Sequence, residues 1–132
     1  MGGRLLTTLL LDTHVWAWTL TNDRRLSDRA QREIADASEI IVSAISFFEI
    51  AQKVRLGKRP EMAPYVERLP DLLERQHAVA TALEAADCLM AGILPWPHRD
   101  PFDRFLAASA MRRRVAIVSA DPVFDSLVTR IW

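Results

Sequence analysis

Five acidic residues spread along the chain have the type and placement of divalent metal ligands: Asp12, Glu49, Asp100, Asp103 and Asp121. Carboxylates packed together repel one another and raise one another's pKa, so such a cluster calls for a counter-charge. Oxygen ligands without a cysteine cluster or paired histidines favour Mg²⁺ or Mn²⁺ over zinc. A metal ion held this way can activate water and stabilise negative charge on a phosphoryl oxygen. The residue types therefore indicate a metal-dependent phosphodiesterase.

The elements around these acids would bring them to one edge of a sheet. Asp12 directly follows an apolar segment, and Asp121 comes two residues after the segment VAIVS. Glu49 lies one turn into the helix predicted to follow a second strand. Asp100 and Asp103 begin a further helix, three residues apart and thus on one face. Because sites in open α/β sheets gather beyond the carboxyl ends of the strands, we expect these carboxylates to lie close together.

Each of these acids also has a purely structural interpretation. Asp12, Asp100 and Asp121 precede predicted helices or turns, where Asp is a good N-cap. Asp103 lies in a first turn, where the helix dipole favours an acid. Glu49 has no capping role one turn inside a helix, and a solvated outer face is its structural alternative. Spacing alone leaves the metal site and the structural interpretations open.

Apolar runs, caps and prolines predict strands alternating with helices. The predicted strands cover residues 5–11, 39–43, 78–82, 115–119 and 128–132. The predicted helices cover residues 13–20, 27–37, 45–56 and 100–113, with further helical stretches ending near 76 and 92. The first strand is apolar almost throughout, as in a strand covered on both faces of a parallel sheet. This alternation predicts an α/β fold around a mostly parallel sheet.

The composition indicates one domain, residues 1–132, with a substantial core, because 50% of the 132 residues are hydrophobic. The formal net charge is zero, which excludes a basic coat, so a polyanion would have to be bound locally. Only two of the 17 basic residues are lysines, Lys53 and Lys58. The excess of arginine suits phosphate recognition, although a GC-rich coding sequence produces the same bias.

The remaining residue types exclude several other classes of site and location. The single cysteine, Cys88, rules out an internal disulfide and is expected to be buried. The three histidines, His14, His77 and His98, show no metal-ligand spacing. No segment reaches the roughly 18–20 apolar residues of a membrane helix. The apolar residues 5–11 lack the cleavage site of a signal peptide, so a cytoplasmic protein without a membrane partner is expected.

Four segments in order resemble PIN-domain ribonucleases, and in particular the VapC-type toxins of type II toxin–antitoxin pairs. They are LLLDTHVWAW, VSAISFFEIAQKVRLGK, HRDPFDRFLAASA and VSADPVFDSLVTRIW. The likeness extends over nearly the whole chain with the same spacing. It implies a three-layer α/β/α fold with a central, twisted, mostly parallel sheet. It also implies an endoribonuclease toxin that cleaves RNA with metal-activated water.

The resemblance assigns roles residue by residue. The family's Mg²⁺- or Mn²⁺-binding acids correspond to Asp12, Glu49, Asp103 and Asp121. Asp100, Ser119 and Ser43 correspond to supporting positions near the metal. Phe48 stands where many relatives have Trp, which is a change in packing.

Partners follow from the same resemblance. They are an RNA substrate, a small cognate antitoxin protein that covers helices near the site, and a second copy of the chain in a homodimer. Trp16 and Trp18 could contribute to the antitoxin surface, with core packing as the alternative, since Trp is highly buried on average.

Three other functions compete with this one. A non-catalytic interaction module on the same fold would have lost some of the four acids, and all four are present. A nuclease acting on DNA usually carries extra domains or basic insertions, for which 132 neutral residues leave no room. A phosphoacceptor receiver domain needs paired acids after its first strand, whereas Asp12 is followed by Thr13 and His14.

Overall fold

Five parallel strands form the centre of the fold, and the computed structural model describes residues 6–132. The strands are β1 (Thr8–Leu11), β2 (Glu39–Ser43), β3 (Val79–Thr81), β4 (Ala116–Val118) and β5 (Arg130–Ile131). Their order across the sheet is β3-β2-β1-β4-β5. Each pairing between neighbours is parallel, which confirms the predicted sheet and places β1 at its centre.

Six α-helices connect and cover these strands in the described part of the chain. They are α1 (Thr13–Thr21), α2 (Asp28–Asp36), α3 (Ala44–Arg55), α4 (Leu69–Arg75), α5 (Ala85–Ile93) and α6 (Pro101–Arg113). Side chains cap the starts of α2 and α6. The Ser27 hydroxyl accepts a hydrogen bond from the Ala30 amide, and the Asp100 carboxylate accepts one from the Phe102 amide. Pro101 at the first position of α6 completes that start signal.

The helices cover both faces of the sheet, which confirms the three-layer α/β/α architecture. Successive residues of β1 point to opposite faces, as the period of a strand requires. Leu9 and Leu11 pack in a core with α1 to α4, whereas Leu10 packs in a second core with α6. The central strand is therefore apolar throughout because neither of its faces meets water.

The ends of the chain depart from the predicted strands. The strand predicted over residues 5–11 begins at Thr8, where pairing with Glu39 of β2 begins, and Leu6 is exposed. Position 5 of that prediction lies outside the described residues. The closing strand is shorter than predicted, because β5 pairs with β4 only at Arg130 and Ile131.

The helix predicted up to residue 76 is also shorter. Two 3₁₀ turns, Pro60–Met62 and Val66–Arg68, precede α4.

One predicted burial is wrong. Cys88 is exposed because α5 packs against α6 and turns its opposite side, including Leu89 and Ile93, towards solvent. The apolar neighbours of Cys88 suggested a buried position, but their helical spacing places them on the outer side of a peripheral helix. Within the described residues, no helix is long and apolar enough to span a membrane.

Candidate active site

A cavity of about 530 Å³ lies beyond the carboxyl ends of the two central strands, β1 and β4. Four carboxyl-bearing residues line it: Asp12, Asp100, Asp103 and Asp121. Asp12 follows β1, Asp121 comes after β4, and the other two belong to the start of α6. The parallel sheet thus brings together acids that are more than 100 positions apart in the chain.

Asp12 occupies the N-cap position of α1, yet its side chain forms no capping hydrogen bond. Its Oδ2 instead accepts a hydrogen bond of 2.7 Å from the Ser119 hydroxyl. The His14 ring lies on its other side, with Nδ1 3.8 Å from Asp12 Oδ1. Asp12 is only 5% exposed, so its carboxylate is buried although it does not cap the helix. The capping interpretation of this residue therefore fails.

Ser119 links the two strand ends of the cavity. Its buried hydroxyl donates to Asp12 and accepts a hydrogen bond of 3.0 Å from the Asp121 amide. Asp121 is exposed, and its Oδ1 caps the following 3₁₀ turn by accepting from the Val123 amide. The capping interpretation therefore holds for one oxygen of Asp121, while the same residue still lines the cavity.

Among the acids of the cavity, Asp103 has a clearly raised pKa. Burial, together with the negative charges of Asp12 and Asp100, raises its pKa to about 6 against the lowering effect of His98. His98 Nε2 lies 2.7 Å from Asp103 Oδ2. Ligand atoms of His98, Asp100 and Asp103 all lie within 4.8 Å of one another. A partly buried carboxyl beside other carboxyls is a group that a cation would stabilise.

His98 lies on the proline-rich loop before α6, and Arg104 fixes the conformation of this loop. The Arg104 guanidinium donates to four backbone carbonyls at 2.6–2.9 Å. These carbonyls belong to Ala91, Leu94, Trp96 and His98. A loop that forms no regular structure is thereby fixed by charge-assisted hydrogen bonds from the helix that carries Asp103.

Glu49 stands apart from the other acids. It is 3% exposed, so the solvated outer face considered from the sequence is wrong. Its carboxylate pairs with Lys53 one turn along α3, and it is not among the described residues that line the acidic cavity. One turn earlier on α3, Ser46 Oγ lies 2.7 Å from Thr13 Oγ1 in a buried contact that ties α3 to the residue after Asp12.

Ser43 ends β2 and caps α3. Its hydroxyl accepts a hydrogen bond of 3.2 Å from the Ile45 amide, and the residue is 2% exposed. The observed contact therefore orients the helix that carries Glu49.

The two tryptophans of α1 differ in surroundings although both are buried. Trp16 is in the core and donates from its indole nitrogen to Gln76. Trp18 lines the acidic cavity, and its indole nitrogen has no hydrogen-bond partner among the described residues. Both tryptophans pack in the same core, and Trp18 in addition forms a wall of the site.

Sequence reasoning missed two contributors to this site, His98 and Arg104. His98 was passed over because no second histidine or cysteine stands at a ligand spacing from it. Its position could have indicated the contact. His98 lies five residues before Asp103, and the loop between them can fold back against the first turn of the helix. The four contacts of Arg104 depend on the folded path of that loop, which no local pattern encodes.

The donor set fits a divalent cation. Several carboxylates converge with their second oxygens uncommitted to caps, and Asp103 is desolvated at a raised pKa. Oxygen donors of this kind suit Mg²⁺ or Mn²⁺, and an imidazole beside them is a ligand that softer divalent ions accept. The arrangement can hold a cation and place water or a phosphoryl oxygen beside it.

Comparison with known proteins gives consistent results. The model of the PIN domain family matches residues 9–128. Over 116 residues the chain is 33% identical to Ribonuclease VapC22 of Mycobacterium tuberculosis, with 88% of each chain covered.

Solved structures share the fold. One is VapBC2 of Rickettsia felis bound to a promoter DNA fragment, with a TM-score of 0.65, 15% identity, and coverage of 94% of this chain and 97% of that chain. Another is DNA-bound VapBC of Salmonella typhimurium, with a TM-score of 0.65, 16% identity, and coverage of 96% and 97%. The resemblance and the fold expected from the sequence are confirmed.

Proposed function

The chain belongs to the PIN-domain family, and we propose that it is a toxin of a toxin–antitoxin pair that cleaves RNA with Mg²⁺ or Mn²⁺. The observation that carries this proposal is the convergence of Asp12, Asp100, Asp103 and Asp121 on one cavity at the carboxyl edge of the sheet. Its relative from Mycobacterium tuberculosis is named a ribonuclease, which supports RNA as the substrate.

Asp12, Asp103 and Asp121 would hold the metal ion, and Glu49, which pairs with Lys53 outside the cavity lining, is the fourth proposed ligand. Bound there, a divalent cation lowers the pKa of water and neutralises charge on a phosphoryl oxygen. Ser119 fixes the carboxylate of Asp12 by donating to Oδ2. Such hydrogen bonds to ligands commonly set the orientation and basicity of a metal site.

Other groups of the cavity prepare it for a polyanion. The His98 ring contacts Asp103 Oδ2, and Asp100 caps the start of α6 by accepting a hydrogen bond from the Phe102 amide. Trp18 and Pro122 supply an apolar wall that limits water, and the exposed His14 also lines the cavity. An RNA strand could thus bring one phosphodiester to the acids while its bases remain outside.

A small antitoxin protein would control this activity. The structural neighbours from Rickettsia felis and Salmonella typhimurium are described as VapBC assemblies, and the VapC-type relative supports an equivalent partner here. Expression of the chain alone should arrest bacterial growth, and co-expression of the small protein encoded next to it should restore growth. A folded chain expressed at high level without harm would contradict the toxin role.

The nuclease role is tested with purified protein free of any partner. Labelled single-stranded RNA and duplex DNA of the same sequence are incubated with Mn²⁺, with Mg²⁺ and with excess EDTA. We expect RNA cleavage with either metal and none in EDTA. Cleavage that persists in EDTA, or that strongly prefers duplex DNA, would overturn the proposal.

A further inference from the structure

A second cavity, of about 360 Å³, adjoins the acidic one and is strongly basic. Its charged lining residues are Arg25, Lys53, Lys58, Arg59 and Glu61, so four cations face one carboxylate. His14 lines both cavities and forms their common wall. We infer that this basic cavity binds a phosphodiester of the same RNA strand whose neighbouring linkage enters the acidic cavity, an inference that rests on the proposed function.

Arg59 is the observation that points to an anionic ligand. Its side chain is only 9% exposed, although guanidinium groups are rarely buried without partners. Its buried Nε has no hydrogen-bond partner within residues 6–132. The nearest carboxylate oxygen, Glu61 Oε1, is 3.8 Å from Nη1, which is too far for a hydrogen bond. Leaving a buried charged donor unsatisfied is costly, and a phosphate in the cavity that Arg59 lines would give its guanidinium a charged acceptor in addition to the distant Glu61.

The turn after α3 presents two of these cations together. Gly57 adopts a φ of +74°, in the left-handed region that glycine enters without strain. The amides of Lys58 and Arg59 then both donate to the carbonyl of Lys53, at 2.8 and 3.3 Å. The turn therefore folds the chain back onto the end of α3 and gathers these three basic side chains at one cavity.

The other cations differ in whether they already form an ion pair with a carboxylate. Arg25 pairs with Asp23 at 2.8 Å and lies 5.0 Å above the Trp18 ring. Lys53 pairs with Glu49. Lys58 is exposed and has no ion pair with any described residue within 4.0 Å, so its charge is available to a ligand.

The basic cavity adjoins the acidic cavity, which favours a single RNA strand that occupies both. Trp18 lines the acidic cavity, and it contacts His14 edge-on at a ring separation of 6.1 Å and Arg25 by its face. His14 and Arg25 in turn line the basic cavity. A local basic site also resolves how a chain of zero formal net charge can bind a polyanion whose binding energy comes largely from phosphate contacts.

The test measures RNA binding apart from cleavage. In an Asp103→Asn background, which keeps RNA intact, a fluorescein-labelled single-stranded RNA is titrated with Lys58→Gln, Lys58→Arg and Arg29→Gln variants at several KCl concentrations. Arg29 is exposed on α2 and lines neither cavity. We expect Lys58→Gln to weaken binding about tenfold at low salt and to reduce the salt slope by about 0.7, the value for one contact to a single strand.

The controls define the outcome. Lys58→Arg should retain the affinity, and Arg29→Gln should leave both affinity and slope unchanged. An affinity and slope of Lys58→Gln equal to those of Arg29→Gln would overturn the basic subsite, even if the wild type cuts RNA with Mn²⁺. Weaker binding by Lys58→Gln alongside a wild type that cuts no RNA would support the subsite and contradict the proposed nuclease chemistry.

Discussion

The Ser119 hydroxyl donates to Asp12 Oδ2 at 2.7 Å while it accepts from the amide of Asp121 at 3.0 Å. One fully buried serine at the end of β4 thus sets the positions of an acid after β1 and an acid after its own strand. Neighbouring parallel strands make this contact available, because β1 and β4 pair with Leu11 opposite Val118.

We predict that Ser119→Ala lowers RNA cleavage by about 10- to 100-fold, the usual cost of losing a group that orients a metal ligand. The change also leaves Asp12 Oδ2 without its donor, so the free energy of unfolding should fall by about 1–3 kcal/mol. Steady-state cleavage and urea unfolding measure the two effects. Ser109→Ala, at an equally buried serine on α6, is the control, and equal loss of cleavage in both variants would contradict a specific role for Ser119.

Asp103 and Asp100 should separate in function although they lie on the same helix turn. We predict that Asp103→Asn lowers cleavage by at least about 100-fold, because the change removes a charge that holds the metal. Asp100→Asn should cost less, since Asn also caps a helix and the observed bond to the Phe102 amide can form again. Comparable losses from the two substitutions would show that Asp100 binds the metal directly.

The titration of Asp103 should contribute to the pH dependence of stability. Folding raises its pKa from 3.8 to about 6, so the folded protein favours the protonated form. This group's contribution to the stability of the metal-free protein is therefore full below pH 4 and is lost as the pH rises through 6. Metal binding needs the deprotonated form, so stabilisation by Mn²⁺ should be present at pH 7 and largely absent at pH 5.

Thermal melts in EDTA and in Mn²⁺ between pH 4 and 8 measure both trends, with Asp103→Asn as the control that lacks the titrating group. A wild type and a variant with parallel profiles would contradict the assignment to Asp103.

Arg104 should act as a positioning residue through the loop that carries His98. We predict that Arg104→Gln lowers the free energy of unfolding by about 2–4 kcal/mol, because several carbonyls lose a charged donor at once. Hydrogen exchange should become faster in residues 94–100, and the response of the melting temperature to Mn²⁺ should weaken. Arg99→Gln, at an exposed arginine of the same loop, should change none of these. Unchanged exchange in Arg104→Gln would show that the loop is held by other contacts.

Local patterns predicted most of the elements, since caps, prolines and apolar runs act over a few residues. Ser27, Asp100 and the apolar β1 are examples in which propensity and tertiary packing agree. The predictions failed where distant contacts decide. Cys88 is exposed because of which side of α5 meets α6.

The same limit explains the site. The sequence indicated which acids follow strands, and the parallel sheet brings three of the four predicted ligands to one cavity. The carboxylate of Asp12 accepts a hydrogen bond from Ser119, 107 residues away, and a contact at that sequence distance cannot be inferred from the local pattern. Glu49 remains a predicted ligand. Its i,i+4 spacing from Lys53 permits an ion pair, but the spacing alone does not show that Glu49 pairs with Lys53 rather than with another group.

The most direct test of the metal site is a melting series of wild type and Asp103→Ala in EDTA and in rising Mn²⁺. We predict that Mn²⁺ stabilises the wild type by about 2.7 kcal/mol at 100 times its dissociation constant. The variant should be as stable as the wild type, or more stable, in EDTA at pH 7, because repulsion from Asp12 and Asp100 is relieved. It should also lose most of the Mn²⁺ response. A variant that is less stable in EDTA yet keeps the full response to Mn²⁺ would contradict the metal site and leave Asp103 as a favourable first-turn acid of α6.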